Sequence, residues 1–157
     1  MDMFEFWKKE ESEIAAPADG ICIRLEDVPD EAFSTGKMGD GFAVQSTGDT
    51  VVAPVDGKIV MIPETHHSFG METKNGAEVL VHTGLNTVRM LGEGFTVLAE
   101  QGETVKAGDP VLRFDRALLE SRGRDLTVIV TFTTGRVKMD DLGCFGREVK
   151  AGEILVK

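Results

Sequence analysis

No apolar run in the sequence approaches the ~18 uninterrupted residues that a membrane-spanning helix requires. Met1 to Lys9 is acidic and aromatic, without the apolar stretch or small-residue cleavage site of a secretory signal. Basic residues are also scarce: 17 Lys+Arg stand against 27 Asp+Glu in 157 residues, a formal charge of -10. A surface of that sign repels phosphate backbones and anionic lipid, and no Lys/Arg run offers a local exception, so no nucleic-acid partner is expected. Cysteine is limited to Cys22 and Cys144, which form neither a disulfide framework nor a metal-knuckle spacing and are expected as reduced thiols in a cytoplasm. HExxH, GxSxG, Walker and dinucleotide glycine patterns are all missing, which removes the commonest signals for zinc peptidases, serine hydrolases and nucleotide enzymes. The remaining expectation is an acidic cytoplasmic chain with one folded domain, consistent with 41% hydrophobic and 28% charged residues.

Glycine, by contrast, is plentiful: 18 residues, many at the ends of short apolar runs. Ile21 to Ile23, Phe42 to Val44, Val51-Val52, Lys58 to Ile62, Glu78 to Val81 and Asp125 to Phe132 read as strands punctuated by Asp-Gly, Asn-Gly or Thr-Gly. Only Arg116 to Arg122 and Asp30 to Thr35 read as helical. The fold expected is all-β, a sandwich or barrel of short antiparallel strands. The chain also repeats itself. Ala16-Pro17-Ala18-Asp19-Gly20 recurs as Ala53-Pro54-Val55-Asp56-Gly57, and Gly102 to Gly108 (GETVKAG) recurs as Gly146 to Gly152 (GREVKAG). The matches extend beyond turn chemistry, so a duplicated unit stacked on its copy is expected. Val-Lys-Ala-Gly-Asp hairpins also occur in lipoyl and biotinyl carrier domains. However, Lys58 falls inside an expected strand and Lys138-Met139 carries only half the carrier pattern, so a swinging arm is not favoured. Residues 1–13, crowded with Met3, Phe4, Phe6 and Trp7, are expected to form a flexible leader to a domain spanning 14–157.

All three histidines, His66, His67 and His82, lie within 17 positions. His82 ends an apolar strand just before Thr83-Gly84, where a polar side chain reaches solvent from a rigid base. Strand alternation through Thr65 to Phe69 puts Thr65, His67 and Phe69 on one face and His66 on the other. Lys74-Asn75-Gly76 signals a hairpin that would bring His67 to His82. A neutral imidazole is a nucleophile and a metal ligand near neutral pH, and its protonated form stabilises anions. Zinc hydrolysis would need a further ligand and a general base, so two histidines and a threonine leave the chemistry open between transfer, metal binding and simple strand capping.

These segments resemble the glucose-type IIA component of the bacterial phosphoenolpyruvate:sugar phosphotransferase system. The likeness is carried by Ala53 to Gly57 (APVDG), Glu64 to Phe69 (ETHHSF), Glu78 to Val88 (EVLVHTGLNTV), Leu91 to Phe95 (LGEGF) and Val105 to Asp109 (VKAGD). It continues upstream in Asp27 to Asp30, Phe33 and Gly39 to Gly41, and so runs from about Ile14 to Lys157. The resemblance implies a duplicated β-sandwich acting as a phosphocarrier. His82 would take a phosphoryl group from phospho-HPr on Nε2 and hand it to a cysteine of a IIB domain, with its other nitrogen held by the Gly84 carbonyl. His67 would stabilise the phosphoryl oxygens, oriented by Thr65. Phe33, Met38, Leu80 and Val88 occupy the positions of an apolar ring where partners dock. No cofactor is implied, although His67 and His82 could gather zinc adventitiously, and membrane contact would come only through the permease. The chain departs from the family at Asn86, where Asp is usual, and at His66, Pro63, Thr83 and Lys37. Two other classes remain as expectations to test: a non-catalytic regulator using the same apolar face, and a zinc hydrolase on a related duplicated scaffold.

Overall fold

The computed structural model describes residues 13–133 and 142–156. The expected leader over 1–13, apart from Glu13, and the Lys138-Met139 pair lie outside the described residues. Within them the chain is built from strands β1 (Ile14–Ala15), β2 (Gly20–Arg24), β3 (Asp40–Ser46), β4 (Thr50–Val52), β5 (Gly57–Met61), β6 (Ser68–Glu72) and β7 (Glu78–Thr83). These are followed by β8 (Phe95–Val97), β9 (Thr104–Val105), β10 (Pro110–Phe114), β11 (Thr127–Phe132), β12 (Glu148–Val149) and β13 (Ile154–Val156). Two short helices, Glu31–Ser34 and Arg116–Ser121, start on the side chains of Asp30 and Asp115, which accept from Ala32 N and Leu118 N. Such caps satisfy otherwise orphaned N–H groups.

The all-β expectation is met. An eight-stranded sheet runs β12-β2-β3-β11-β7-β6-β5-β9, beside a three-stranded sheet β4-β10-β8 and the pair β1-β13. Every pairing is antiparallel. The inward residues of the large sheet, among them Phe42, Val44, Phe69, Val81 and Val130, join Val51, Leu112 and Phe114 of the small one in a single core. A second, smaller cluster of Leu25, Val28, Phe33, Ala43, Leu85 and Ile129 covers part of the outer face. It is built because the segment between β2 and β3 folds back across that face, and it forms the floor on which the histidines stand.

The repeats exchange hydrogen bonds reciprocally. Ala15 N donates to Pro54 O at 2.8 Å, and Val52 N, displaced by 37 positions, donates to Pro17 O at 2.8 Å. Asp19 Oδ1 accepts from Ala151 N and Asp56 Oδ1 accepts from Ala107 N, each at 2.8 Å. Gly152 N reaches Ala16 O and Gly108 N reaches Ala53 O in the same manner. Each Ala-Pro-x-Asp-Gly copy is therefore clamped by one Lys-Ala-Gly copy, and the two clamped units are related by an internal two-fold.

Three expectations are corrected. The strand expected from Asp125 begins at Thr127, because the Asp125 carboxylate turns back onto Thr127 N. The strand expected through Thr65 to Phe69 begins at Ser68, because His66 adopts a left-handed φ of 55° and its N–H bonds to Pro63 O in a turn. Cys22 and Cys144, expected as separate thiols, are joined as a disulfide with 5.8 Å between their Cα atoms. The pairing of β12 with β2 brings them together: Cys22 N donates to Arg147 O and Gly146 N to Cys22 O. Nothing in a 122-residue spacing signals that approach.

Because the two aspartates occupy equivalent places, Asp19→Ala and Asp56→Ala should each lower the unfolding free energy by about 1 kcal/mol in urea titrations. A loss confined to one of them would break the equivalence.

Candidate functional site

His82 is the fifth residue of β7, opposite Ser68 on β6 and Ile129 on β11. It therefore stands on the outer face of the large sheet, where most of its ring is shielded. Its Nδ1 lies 2.8 Å from Gly84 O. A carbonyl oxygen only accepts, so Nδ1 carries the proton and Nε2 is left with the lone pair. Gly84 delivers that carbonyl by a turn at φ +80°, and a side chain there would meet Thr87 Cγ2 at 2.5 Å and Asp125 O at 2.9 Å. The residue must be glycine on both counts. Asn86, also left-handed at φ 59°, and the Thr87 hydroxyl, which donates to Thr83 O, complete the turn.

His67 sits just before β6, and its carbonyl accepts from Thr83 N at 2.8 Å. Its ring is edge-on to that of His82, with centroids 4.8 Å apart and planes at 81°. Its Nδ1 is 2.8 Å from Thr65 Oγ1. With the hydroxyl donating, the proton rests on Nε2, the nitrogen free to donate toward a group on His82. The structure thus joins His82, His67, Thr65 and Gly84, although Thr65 and His67 come from a turn and not from a strand. His66 does not join them; its ring approaches the backbone of Gly92.

The electrostatics favour neutral rings. Burial holds His82 down to about 4, helped by the neighbouring His67, while the Gly84 carbonyl and the Asp30 carboxylate pull in the opposite direction. Burial also lowers His67. The sequence assigned no role to Asp30, whose position near the ring depends on the helix it caps.

Of the four apolar residues, Phe33 is 5% exposed and belongs to the outer cluster, with its ring centroid 5.2 Å from that of His82. It walls the histidine. Met38 and Val88 are 39% and 48% exposed, and Leu80 lies half-buried two residues before His82 on the same strand face. Met61, missed from the sequence, extends this surface: it pairs with Gly70, and its Cε and Cβ lie 3.6 and 3.7 Å from where a Gly70 side chain would begin. The β5–β6 pairing that brings Met61 onto Gly70 was not among the sequence expectations. Among the described residues no three His, Cys, Asp or Glu side chains converge as a metal site.

Titrated by proton–nitrogen NMR, His82 should stay neutral well below the ordinary midpoint of 6.5 and protonate near 4. The unfolded chain takes that proton near 6.5, so this residue makes stability fall as pH drops from about 6.5 toward 4, with no further slope below. A His82 midpoint above 6 would contradict the burial. Gly84→Ala should cost at least about 2 kcal/mol in thermal unfolding, since both strain and overlap oppose it.

Comparison with known proteins places this geometry in context. Residues 12–137 match the model for the phosphoenolpyruvate-dependent sugar phosphotransferase system EIIA 1 family. The glucose-specific EIIA component of Haemophilus influenzae is 45% identical over 152 residues, covering 95% of this chain and 89% of that protein. The N-acetylglucosamine-specific EIICBA component of Klebsiella pneumoniae is 46% identical over 113 residues, 72% of this chain but 17% of that longer protein. The solved glucose permease IIA from Mycoplasma capricolum superposes with a TM-score of 0.79 at 36% identity, covering 92% and 93% of the two chains.

Proposed function

Because the chain belongs to the EIIA 1 family of the phosphoenolpyruvate-dependent sugar phosphotransferase system, we propose that it carries phosphoryl groups on His82, from phospho-HPr to a cysteine of a sugar permease's IIB domain. The observation that supports this most directly is the His82 Nδ1 to Gly84 O bond of 2.8 Å. It presents Nε2 as a fixed, neutral nucleophile. In the first transfer Nε2 attacks phosphorus, the donor's bond to phosphorus breaks, and an Nε2–P bond forms while Nδ1 keeps its proton on Gly84 O. In the second transfer the IIB thiolate attacks phosphorus, the Nε2–P bond breaks, and His82 returns to its starting neutral tautomer. Such chemistry asks a protein for in-line positioning and for stabilisation of oxygen charge.

His67 supplies that stabilisation, donating from Nε2 to a phosphoryl oxygen while Thr65 holds its other nitrogen. No metal takes part in this sequence; zinc gathered by the two imidazoles would be adventitious and would need a further ligand from a partner. Donor and acceptor dock on the apolar rim of Met38, Leu80 and Val88, with Phe33 as a wall beneath. The family's fused members carry IIA with B and C components in one polypeptide, as the EIICBA name indicates, which supports a IIB acceptor for this chain. The sugar is glucose or a related sugar, and the carrier works in the cytoplasm, reaching the membrane only through the permease.

Phosphorus NMR of the protein with phosphoenolpyruvate, enzyme I and HPr should show a phosphohistidine signal that His82→Ala abolishes. Absence of the signal in the unaltered protein, with active partners, would refute the carrier. His67→Gln should still accept phosphate slowly yet lose about 100-fold or more in passing it to IIB; unimpaired sugar uptake in that variant would remove His67 from the transfer step.

A further inference from the structure

We propose that Asp125, which lies 43 positions beyond His82 in sequence, is a positioning residue for the reactive histidine, acting through the peptide that joins Gly84 to Leu85. This inference rests on the reading of His82 as the phosphoryl acceptor. The carbonyl of Gly84 and the N–H of Leu85 belong to one planar unit, so fixing one end fixes the other. At one end the oxygen accepts from His82 Nδ1 at 2.8 Å. At the other, Leu85 N–H donates to Asp125 O at 2.9 Å, while the preceding N–H of Gly84 donates to Thr127 O at 2.8 Å. The orientation of the accepting oxygen is therefore set by the carbonyls of residues 125 and 127.

Those two carbonyls are fixed by the Asp125 side chain. Its Oδ1 accepts from Thr127 N at 2.9 Å and from Thr127 Oγ1 at 2.7 Å, closing a tight turn that ends where β11 begins. The approach is close enough that a Gly84 side chain would stand 2.9 Å from Asp125 O. The chain of contacts runs from carboxylate to turn, from turn to peptide, and from peptide to imidazole. A hydrogen bond at the N–H end also polarises the peptide, which strengthens its oxygen as an acceptor. Loss of the clamp would let the Gly84 carbonyl tilt and the Nε2-protonated tautomer of His82 become populated, and that form cannot attack phosphorus.

The residue suits a test because it is not part of the core. Asp125 is exposed on the wall of a cleft of about 380 Å³ shared with Gln45, Arg116 and Arg124. Truncating it opens no interior cavity, which separates positioning from packing.

The experiment compares the full chain with Asp125→Ala, Asp125→Asn and Thr127→Val. Long-range proton–nitrogen NMR reads the His82 tautomer, and rapid-quench assays read the rate of phosphoryl acceptance from phospho-HPr. Asp125→Ala should show a measurable Nε2-protonated fraction and an acceptance rate about tenfold lower, a loss of the order seen when a histidine ligand loses its supporting hydrogen bond. Asp125→Asn, whose amide oxygen accepts the same two bonds, should restore both readouts. Thr127→Val, which keeps the N–H bond and loses the hydroxyl, should fall between them. An Asp125→Ala protein with unchanged tautomer and rate would overturn the proposal, as would Asp125→Asn being equally impaired. If Asp125→Ala fails to fold, an unchanged tautomer in Thr127→Val overturns it instead. A tautomer shift in Asp125→Ala, combined with no phosphorylation of the unaltered protein, would uphold the positioning and defeat the carrier reading alone.

Discussion

A carbonyl oxygen can accept a hydrogen bond and cannot donate one, and that asymmetry decides which nitrogen of His82 is reactive. Everything else around the site serves the bond from Nδ1 to Gly84 O. The oxygen must point back toward the strand it has just left, which demands a left-handed turn at Gly84 and a second one at Asn86. The turn must resist relaxation, so both of its leading N–H groups are tied to residues 125 and 127. The ring must stay neutral, which burial against Phe33 and His67 provides. A more exposed histidine would be partly protonated at neutral pH and would lose its lone pair for part of the time.

The frame that holds these parts is a duplication closed by reciprocal hydrogen bonds. Each Ala-Pro-x-Asp-Gly segment is gripped by a Lys-Ala-Gly segment at Ala151 or Ala107. This arrangement leaves the central strands β3, β11 and β7 continuous and buried on their inner side. One unit carries the histidines, on the outer face, and the segment between β2 and β3 of the other supplies the Phe33 wall beside them. The second unit contributes rigidity, and its Cys22–Cys144 link takes a place where the other unit has Ile59 with the same backbone partners.

Much of this was legible in the sequence, for identifiable reasons. Alternation in Glu78 to His82 and the Asn-Gly turn before it were enough to bring His67 to His82, because a hairpin fixes register locally. The repeated Ala-Pro-x-Asp-Gly and Val-Lys-Ala-Gly segments revealed the duplication because the matches extend beyond the turn residues themselves. What stayed hidden were contacts made across the sheet. The disulfide and the bonds from Gly84 and Leu85 to residues 127 and 125 join segments whose proximity is set by strand order, not by spacing. The local error at Thr65 to His67 has another cause. Pro63 offers its carbonyl to His66, and a left-handed histidine is a conformation that no alternation pattern foretells.

Among the described residues, Met38 and Val88 are exposed apolar side chains and Leu80 is a half-buried one on the strand that carries His82. In the phosphocarrier reading, the donor and the acceptor must therefore occupy the same ground in turn. One has to leave before the other arrives, and the residence time of each complex becomes a ceiling on throughput. Tight binding would throttle the relay. A few exposed apolar side chains give the opposite regime, in which encounters are brief and dissociation is fast. Current through the system then depends on how often the face is vacated.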